Sequence, residues 1–405
     1  MKKFIMYGAG NIGRGFIGAL FSENGYSVGF VDINKEVIAK LNSDNSYPVD
    51  VVTSENVEEH IIKNVYGIDG TDLELVSNEI ASADIMATAI GVNVLKFIAK
   101  PIALGLKKRF LANAKPFNII ICENLIGADS YLKGLIKEQI PEFEKEIDEK
   151  VGFVEASIGR MVPTLTEDKK KGNFLRVAVE PYNILPVDKD AFKGEIPEIN
   201  NLYPFTPFSL FIERKLFMHN MSHATTAYLG YLKNYEYIYE AIANYDIRYL
   251  ASRVLTQSAV ALSIEHGVDI KPLTEHAENL LYRFQNTALG DTIARVGKDT
   301  IRKLSENDRL IGALKLCEKH GVSCDILCVP IACAMFFNPS DDERSIELSE
   351  FAKENGAIKT LEKYSNYTGE KANLIAELYE MLKAKKDIKD LIAYADNLSG
   401  NKIRV

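Results

Sequence analysis

The 405 residues contain no tryptophan, only five cysteines, and fewer basic than acidic side chains. The missing tryptophan does not starve a core, because 19 tyrosines and 19 phenylalanines supply bulky apolar groups. An odd, scattered set of cysteines forms no disulfide framework and predicts thiols. Cys317, Cys324, Cys328 and Cys333, with His320 nearby, make no C-x-x-C pair and sit among apolar residues, so core packing is expected there and no zinc. With 48 Lys and Arg against 56 Asp and Glu, the net charge of -8 argues against general nucleic-acid binding. It leaves room for a local basic pocket around a small anion. The apolar run after Met1-Lys2-Lys3 ends in glycines after Tyr7, too short for a secretory signal or a membrane span. A cytoplasmic protein with neither membrane nor nucleic acid as partner is expected, as a monomer or small homo-oligomer.

What is present reads as a soluble globular chain, 47% hydrophobic and 26% charged, long enough for two domains. Strand-like and helix-like segments alternate from the start: Lys3 to Tyr7, Gly13 to Glu23, Ser27 to Asp32, Lys35 to Leu41. This βαβα order opens a parallel, doubly wound sheet. Asp84 to Ile90 and Asn118 to Cys122 read as further buried strands, and Val151 to Ile158 and Phe174 to Val179 as strands that extend the sheet. Pro181, Pro186, Pro197, Pro204 and Pro207 form a stretch that breaks strands and helices and marks a domain crossover near residue 200. Beyond Ser209 the spacing turns helical, as in Tyr239 to His266, Glu275 to Phe284, Ile346 to Asn355 and Ala372 to Ala384. The expected fold is α/β: a Rossmann-type doubly wound sheet with additional strands over residues 1–200, then a mostly α-helical domain over 201–405, with the active site between the two.

Gly8-Ala9-Gly10-Asn11-Ile12-Gly13 is a G-x-G-x-x-G directly after a strand and at the head of a helix, the context that gives the pattern meaning. The first glycine permits a tight turn, the second a close approach of pyrophosphate, and the third close helix–strand packing. Gly8, Gly10, Asn11, Ile12 and Gly13 are thus the expected phosphate contacts, at the positive end of the helix. Asp32 closes the second strand 19 residues after Gly13, where a carboxylate accepts from ribose hydroxyls and repels a 2'-phosphate. NAD is the expected cofactor; the nearby Lys35 leaves some tolerance for NADP.

Between Glu213 and His223, polar groups crowd an otherwise apolar helical stretch. At about 100° per residue, Asn220 lies about 140° and His223 about 80° around the helix from Lys215, so the three can face one cleft. Hydride transfer to a nicotinamide needs a base for the hydroxyl proton and donors to the oxygen, roles that Lys, Asn and His can fill. A lysine works as base near neutrality only if burial or a neighbouring cation depresses its pKa. Arg214 and the histidines are placed to contribute. Taken alone, the spacing is weak evidence, since an amphipathic helix often carries a solvated lysine and a satisfied histidine.

The pattern Lys215, Asn220, His223 resembles the zinc-independent, polyol-specific long-chain dehydrogenases, and the resemblance implies that these three are catalytic. Cys122-Glu123-Asn124 looks like that family's segment after a central strand, which implies that Asn124 helps stabilise the oxyanion. Tyr7 to Gly18, Glu213 to Phe217, Arg302-Lys303-Leu304 and Asp308 to Ile311 are most like the branch that acts on sugar-alcohol phosphates. This implies reversible oxidation of mannitol 1-phosphate to fructose 6-phosphate without a metal. A phosphate dianion needs cations, and Arg302, Lys303 and Arg309 form the most concentrated basic group near a helix start. A solvated basic face is the alternative. Gly159 departs from the family, which usually has an acid before the equivalent of Arg160, and Asn286 to Thr292 look closer to branches acting on free polyols and uronates. That chemistry stays open, as does a non-catalytic NADH-binding sensor.

Overall fold

The computed structural model describes residues 1–125 and 127–398. Its chain separates into one unit over Met1–Ser209 and a second that begins at Leu210. The strands of the first unit are β1 (Lys2–Tyr7), β2 (Tyr26–Asp32), β3 (Ser46–Val52), β4 (Val57–Lys63), β5 (Val65–Asp69), β6 (Ile85–Thr88), β7 (Phe117–Ile121), β8 (Val151–Glu155), β9 (Val177–Val179), β10 (Leu185–Asp188) and β11 (Leu202–Phe205).

Six of them form the main sheet in the order β5-β2-β1-β6-β7-β8, every neighbouring pair parallel. Alternation along β1 explains its unbroken apolar sequence. Phe4 and Met6 enter a core with Phe16, Phe21 and Phe30 on one face. Ile5 and Tyr7 enter another with Ile98, Ile102 and Leu106 on the opposite face. A strand covered on both sides has no position left for a polar residue. The order also reverses between β1 and β6, and open α/β sheets take their ligands at the carboxyl ends of the strands beside such a reversal.

Three expectations are corrected here. Val177–Val179 is a strand, but it pairs with β3 of the β3–β4 hairpin and not with the main sheet, whose additional strand is β8. Pro186 and Pro204 lie inside β10 and β11, which form a two-stranded sheet joined to the segment after β8 by one bridge, Ala156 to Val187. A two-stranded sheet has outer edges that need no donor, so proline is tolerated there. The basic run at residues 107–109 is not uniformly solvated. Arg109 is buried, and its guanidinium donates to the carbonyls of Ala81, Ala83 and Lys115 while lying over the Phe117 ring.

The second unit is helical. The segment read as one helix over Tyr239 to His266 is two, Ile238–Ala243 and Tyr245–His266, because the Asn244 side chain accepts from the Ile247 amide and caps the second. Helices Lys271–Arg283 and Ala372–Lys383 fall where the spacing placed them, as does Glu343–Thr360, which is broken by a kink at Gly356 (φ +81°). All five cysteines are buried, and burial pushes the Cys317 and Cys324 thiols up to about 12. Among the described residues no helix is long and apolar enough to cross a membrane, and no group of three His, Cys, Asp or Glu is arranged to hold a metal.

Candidate active site

The glycine-rich turn leaves β1 at the sheet reversal and is held from three sides. Gly8 has φ +108°, and a Cβ there would meet the Ala89 carbonyl oxygen at 2.6 Å. A Cβ on Gly13 would meet the Gly8 oxygen at 2.0 Å, so the turn closes on itself only with glycine at both ends. Gly10 is different: nothing lies within 4 Å of its missing Cβ, and it and Asn11 are exposed. Space open beside a backbone turn at a helix start is what a pyrophosphate requires. Ile12 is half-buried and packs on the core below.

Asp32 sits at the end of β2, as its spacing predicts, and does more than face solvent. One carboxylate oxygen accepts from the Ala9 amide at 2.8 Å and the other from the Asn34 amide at 2.9 Å. The acid therefore fixes the turn, and each oxygen keeps a lone pair for a ribose hydroxyl. Behind the turn, Arg160 donates from Nε to the Glu180 carbonyl at 3.0 Å and from a terminal nitrogen to the Gly15 carbonyl at 3.2 Å. Burial pushes its pKa down to about 10. Asn124 is exposed just beyond the carboxyl end of β7. Its neighbour Glu123 is buried, and no signal in the spacing singled it out.

In the second unit, Lys215–Asn220 is one π-helical turn, followed by the α-helix Met221–Leu232. This corrects the angular argument from the sequence, which assumed regular α-helical spacing throughout. A π turn repeats hydrogen bonds at i to i+5, so residues five apart come into line, and Lys215 and Asn220 are five apart. Both are half-buried, as is His223 one turn further on.

The His223 ring stacks on Phe284, centroids 4.8 Å apart and planes 14° from parallel, and lies 5.9 Å from His219 edge to face. Its Nε2 is 3.2 Å from an Asp291 carboxylate oxygen without the alignment of a regular hydrogen bond. Burial lowers the His223 pKa and the Asp291 charge works against it. His219 is buried, and burial first, then the charge of Arg283, holds it well below the ordinary histidine range. His219 lies within electrostatic reach of the half-buried Lys215, whose charge lowers its pKa further. Asp291 also pairs with Arg295, which fixes the carboxylate opposite His223. His266 bonds Glu213 at 2.8 Å.

Arg302, Lys303 and Arg309 do come together, but with acids between them. Arg302 Nε donates to Asp299 at 3.0 Å and Arg309 Nε to Asp308 at 2.6 Å. Lys303 is only 4% exposed, and its ammonium donates to the Val296 carbonyl at 2.5 Å. Burial, with the charges of Arg309 and Arg302, pushes its pKa down to about 7. Counting cations along the sequence missed Asp299 and Asp308, which offset two of the three charges.

Residues 2–201 match the mannitol dehydrogenase Rossmann domain and residues 208–398 the mannitol dehydrogenase C-terminal domain. A mannitol-1-phosphate 5-dehydrogenase of Thermoanaerobacter pseudethanolicus is 38% identical over 391 residues, covering 96% of this chain and 99% of that one. The enzyme of the same name from Brevibacillus brevis is 36% identical, over 88% of this chain and 92% of its own. A D-sorbitol dehydrogenase in substrate-free form has a TM-score of 0.80 at 15% identity, over 96% of this chain and 94% of that one. Pseudomonas fluorescens mannitol 2-dehydrogenase, solved with NAD and D-mannitol, has a TM-score of 0.71 at 15% identity, over 97% and 94%. These two establish the shared fold. With both domains matched and relatives aligned over nearly their whole length, the chain belongs to the mannitol dehydrogenase family.

Proposed function

We propose that the protein catalyses the reversible, NAD-dependent oxidation of mannitol 1-phosphate to fructose 6-phosphate. The observation that carries this reading is the 36–38% identity to relatives of that name over nearly the full length of the chain. Bound NAD would supply the hydride acceptor. Asp32 orients the adenosine ribose, and the open face at Gly10 and Asn11 receives the pyrophosphate. Lys215 removes the carbinol proton, which requires its neutral amine, from a half-buried position within electrostatic reach of His219. Asn220 donates to the carbinol oxygen as it becomes a ketone, a role assigned also to Asn124. His223, fixed against Phe284 and opposite Asp291, holds an adjacent hydroxyl. Metal independence belongs to the same reading, with the lysine in place of a Lewis acid.

One observation favours a second reading, a free polyol or hexuronate as substrate: Asp299 and Asp308 offset the basic group assigned to the phosphate. The two are separated by following nicotinamide absorbance with mannitol 1-phosphate, mannitol and fructuronate, each with NAD and NADP as the direction requires. The phosphate reading expects turnover with mannitol 1-phosphate and NAD to exceed every other combination. Equal or faster turnover without phosphate would overturn it.

A further inference from the structure

Glu123 is 9% exposed and follows β7 by two residues, at the edge of the crevice where the sheet reverses. Its two carboxylate oxygens accept separately from consecutive backbone amides, Ile90 at 2.9 Å and Gly91 at 2.8 Å. Those amides belong to the loop that leaves β6, and Gly91, with φ +88°, starts the chain towards the helix Leu95–Leu111. The same loop backs the nucleotide turn. The Ala89 amide donates to the Tyr7 carbonyl at 3.0 Å, and Ala89 and Ile90 stand where a Cβ on Gly8 would be, 2.6 and 2.9 Å away. A chain of close contacts therefore runs from the end of β7, through this carboxylate, to the first glycine of the turn. Its far end adjoins Asn124.

We propose that Glu123 is a positioning residue: it locks the loop after β6 to the end of β7, and so holds the glycine turn and Asn124 in the one register that accepts the dinucleotide and the substrate oxygen together. The proposal rests on the dehydrogenase reading above. Only a carboxylate serves, because both groups it meets are donors. A carboxamide turns an N–H towards one of them, and a side chain one carbon shorter cannot span both. Turning an N–H towards one of these part-buried amides sets donor against donor and loosens the loop, and displacement of a reacting group by a fraction of an ångström is expensive in rate.

The test compares wild type, Glu123→Gln and Glu123→Asp by NADH fluorescence titration, steady-state rates with mannitol 1-phosphate and thermal melting. For Glu123→Gln, NADH affinity should weaken about tenfold and kcat fall about 10- to 100-fold in protein that is still folded. Glu123→Asp should fall between the two, and it carries the test if the glutamine variant does not fold. Wild-type NADH affinity in the folded variants, with only the melting midpoint lowered, would overturn the proposal, since that is all a structural role predicts. If wild type binds NADH but turns over no polyol phosphate, the functional reading fails, while the NADH comparison still judges Glu123.

Discussion

Replacing Lys303 by methionine isolates the electrostatic cost of burying an amine. The ammonium is 4% exposed, faces Arg302 and Arg309, is partly offset by Asp299 and Asp308, and also acts on His223. Its pKa is pushed down from 10.5 to about 7, which corresponds to at most ~5 kcal/mol of penalty on the charged form in the folded state. The sign follows from proton counts. Below pH 7 both folded and unfolded chains carry this proton and the penalty is fully present. Between about 7 and 10.5 the folded chain releases the proton while the unfolded chain keeps it, so stability gains ~1.4 kcal/mol per pH unit from this group. Lys303→Met has no such titration. It also loses the hydrogen bond to the Val296 carbonyl, an offset of about 1 kcal/mol that does not depend on pH. The stability of the variant relative to wild type should therefore decline by ~3 kcal/mol between pH 6.5 and 9.5. In melting midpoints this is about 6–12 °C for a unit of this size. Differential scanning calorimetry at several pH values measures it. Parallel curves for the two proteins would refute the reasoning, because they would mean that the amine keeps its proton when folded.

If Lys303 meets the substrate's phosphate, its charge is needed for binding, so the KM for mannitol 1-phosphate should rise as pH passes about 7 and stay flat in Lys303→Met. Lys215→Met should cut kcat by about 10²–10⁴-fold with NADH binding unchanged, read by stopped-flow absorbance and fluorescence titration; retained turnover would remove the lysine from the chemistry. Asp291→Asn removes the charge that holds the His223 pKa up, so the imidazole titration followed by NMR should move further down, and an upward movement would contradict the pairing. Gly8→Ala places a Cβ 2.6 Å from the Ala89 oxygen at φ +108°, at a cost of about 1–3 kcal/mol. NADH binding should be lost and the melting midpoint lowered, and unchanged NADH affinity would refute the tight-turn role.

The order of elements was legible wherever burial is complete, since a strand covered on both faces must be written as an apolar run. Phe4 to Tyr7 and Phe117 to Ile121 announce themselves for that reason. The hairpin of β3 and β4 did not: its second strand, Val57–Lys63, exposes most of its residues, and Glu58, Glu59 and His60 break up any apolar run. Prolines 186 and 204 pointed away from strands because the sequence does not show whether a strand has a neighbour on each side. Gly8 and Gly13 were legible because the turn leaves no room for a Cβ there, and Asp32 because its spacing places a carboxylate at the end of β2. Partners distant in sequence were not. Glu123 with Ile90, Asp291 with His223 and Asp299 with Arg302 are each set by packing, and one chain of letters carries no distance between them.

The Lys215–Asn220 turn shows where local rules stop. Regular α-helical spacing would set Asn220 well around the helix from Lys215, whereas the π turn brings residues five apart into line. Such a turn gives up α-helical hydrogen bonding and persists only where the surroundings hold it. Phe217, Met218 and His219, buried in the middle of the segment, supply that hold. The buried centre of the turn thus sets the geometry of its two polar ends. A substitution that leaves Lys215 and Asn220 untouched but shrinks Met218, which is 0% exposed, should relax the segment towards regular helix and separate Lys215 from Asn220. In that case the Lys215–Asn220 pattern would remain in the sequence and be lost from the fold.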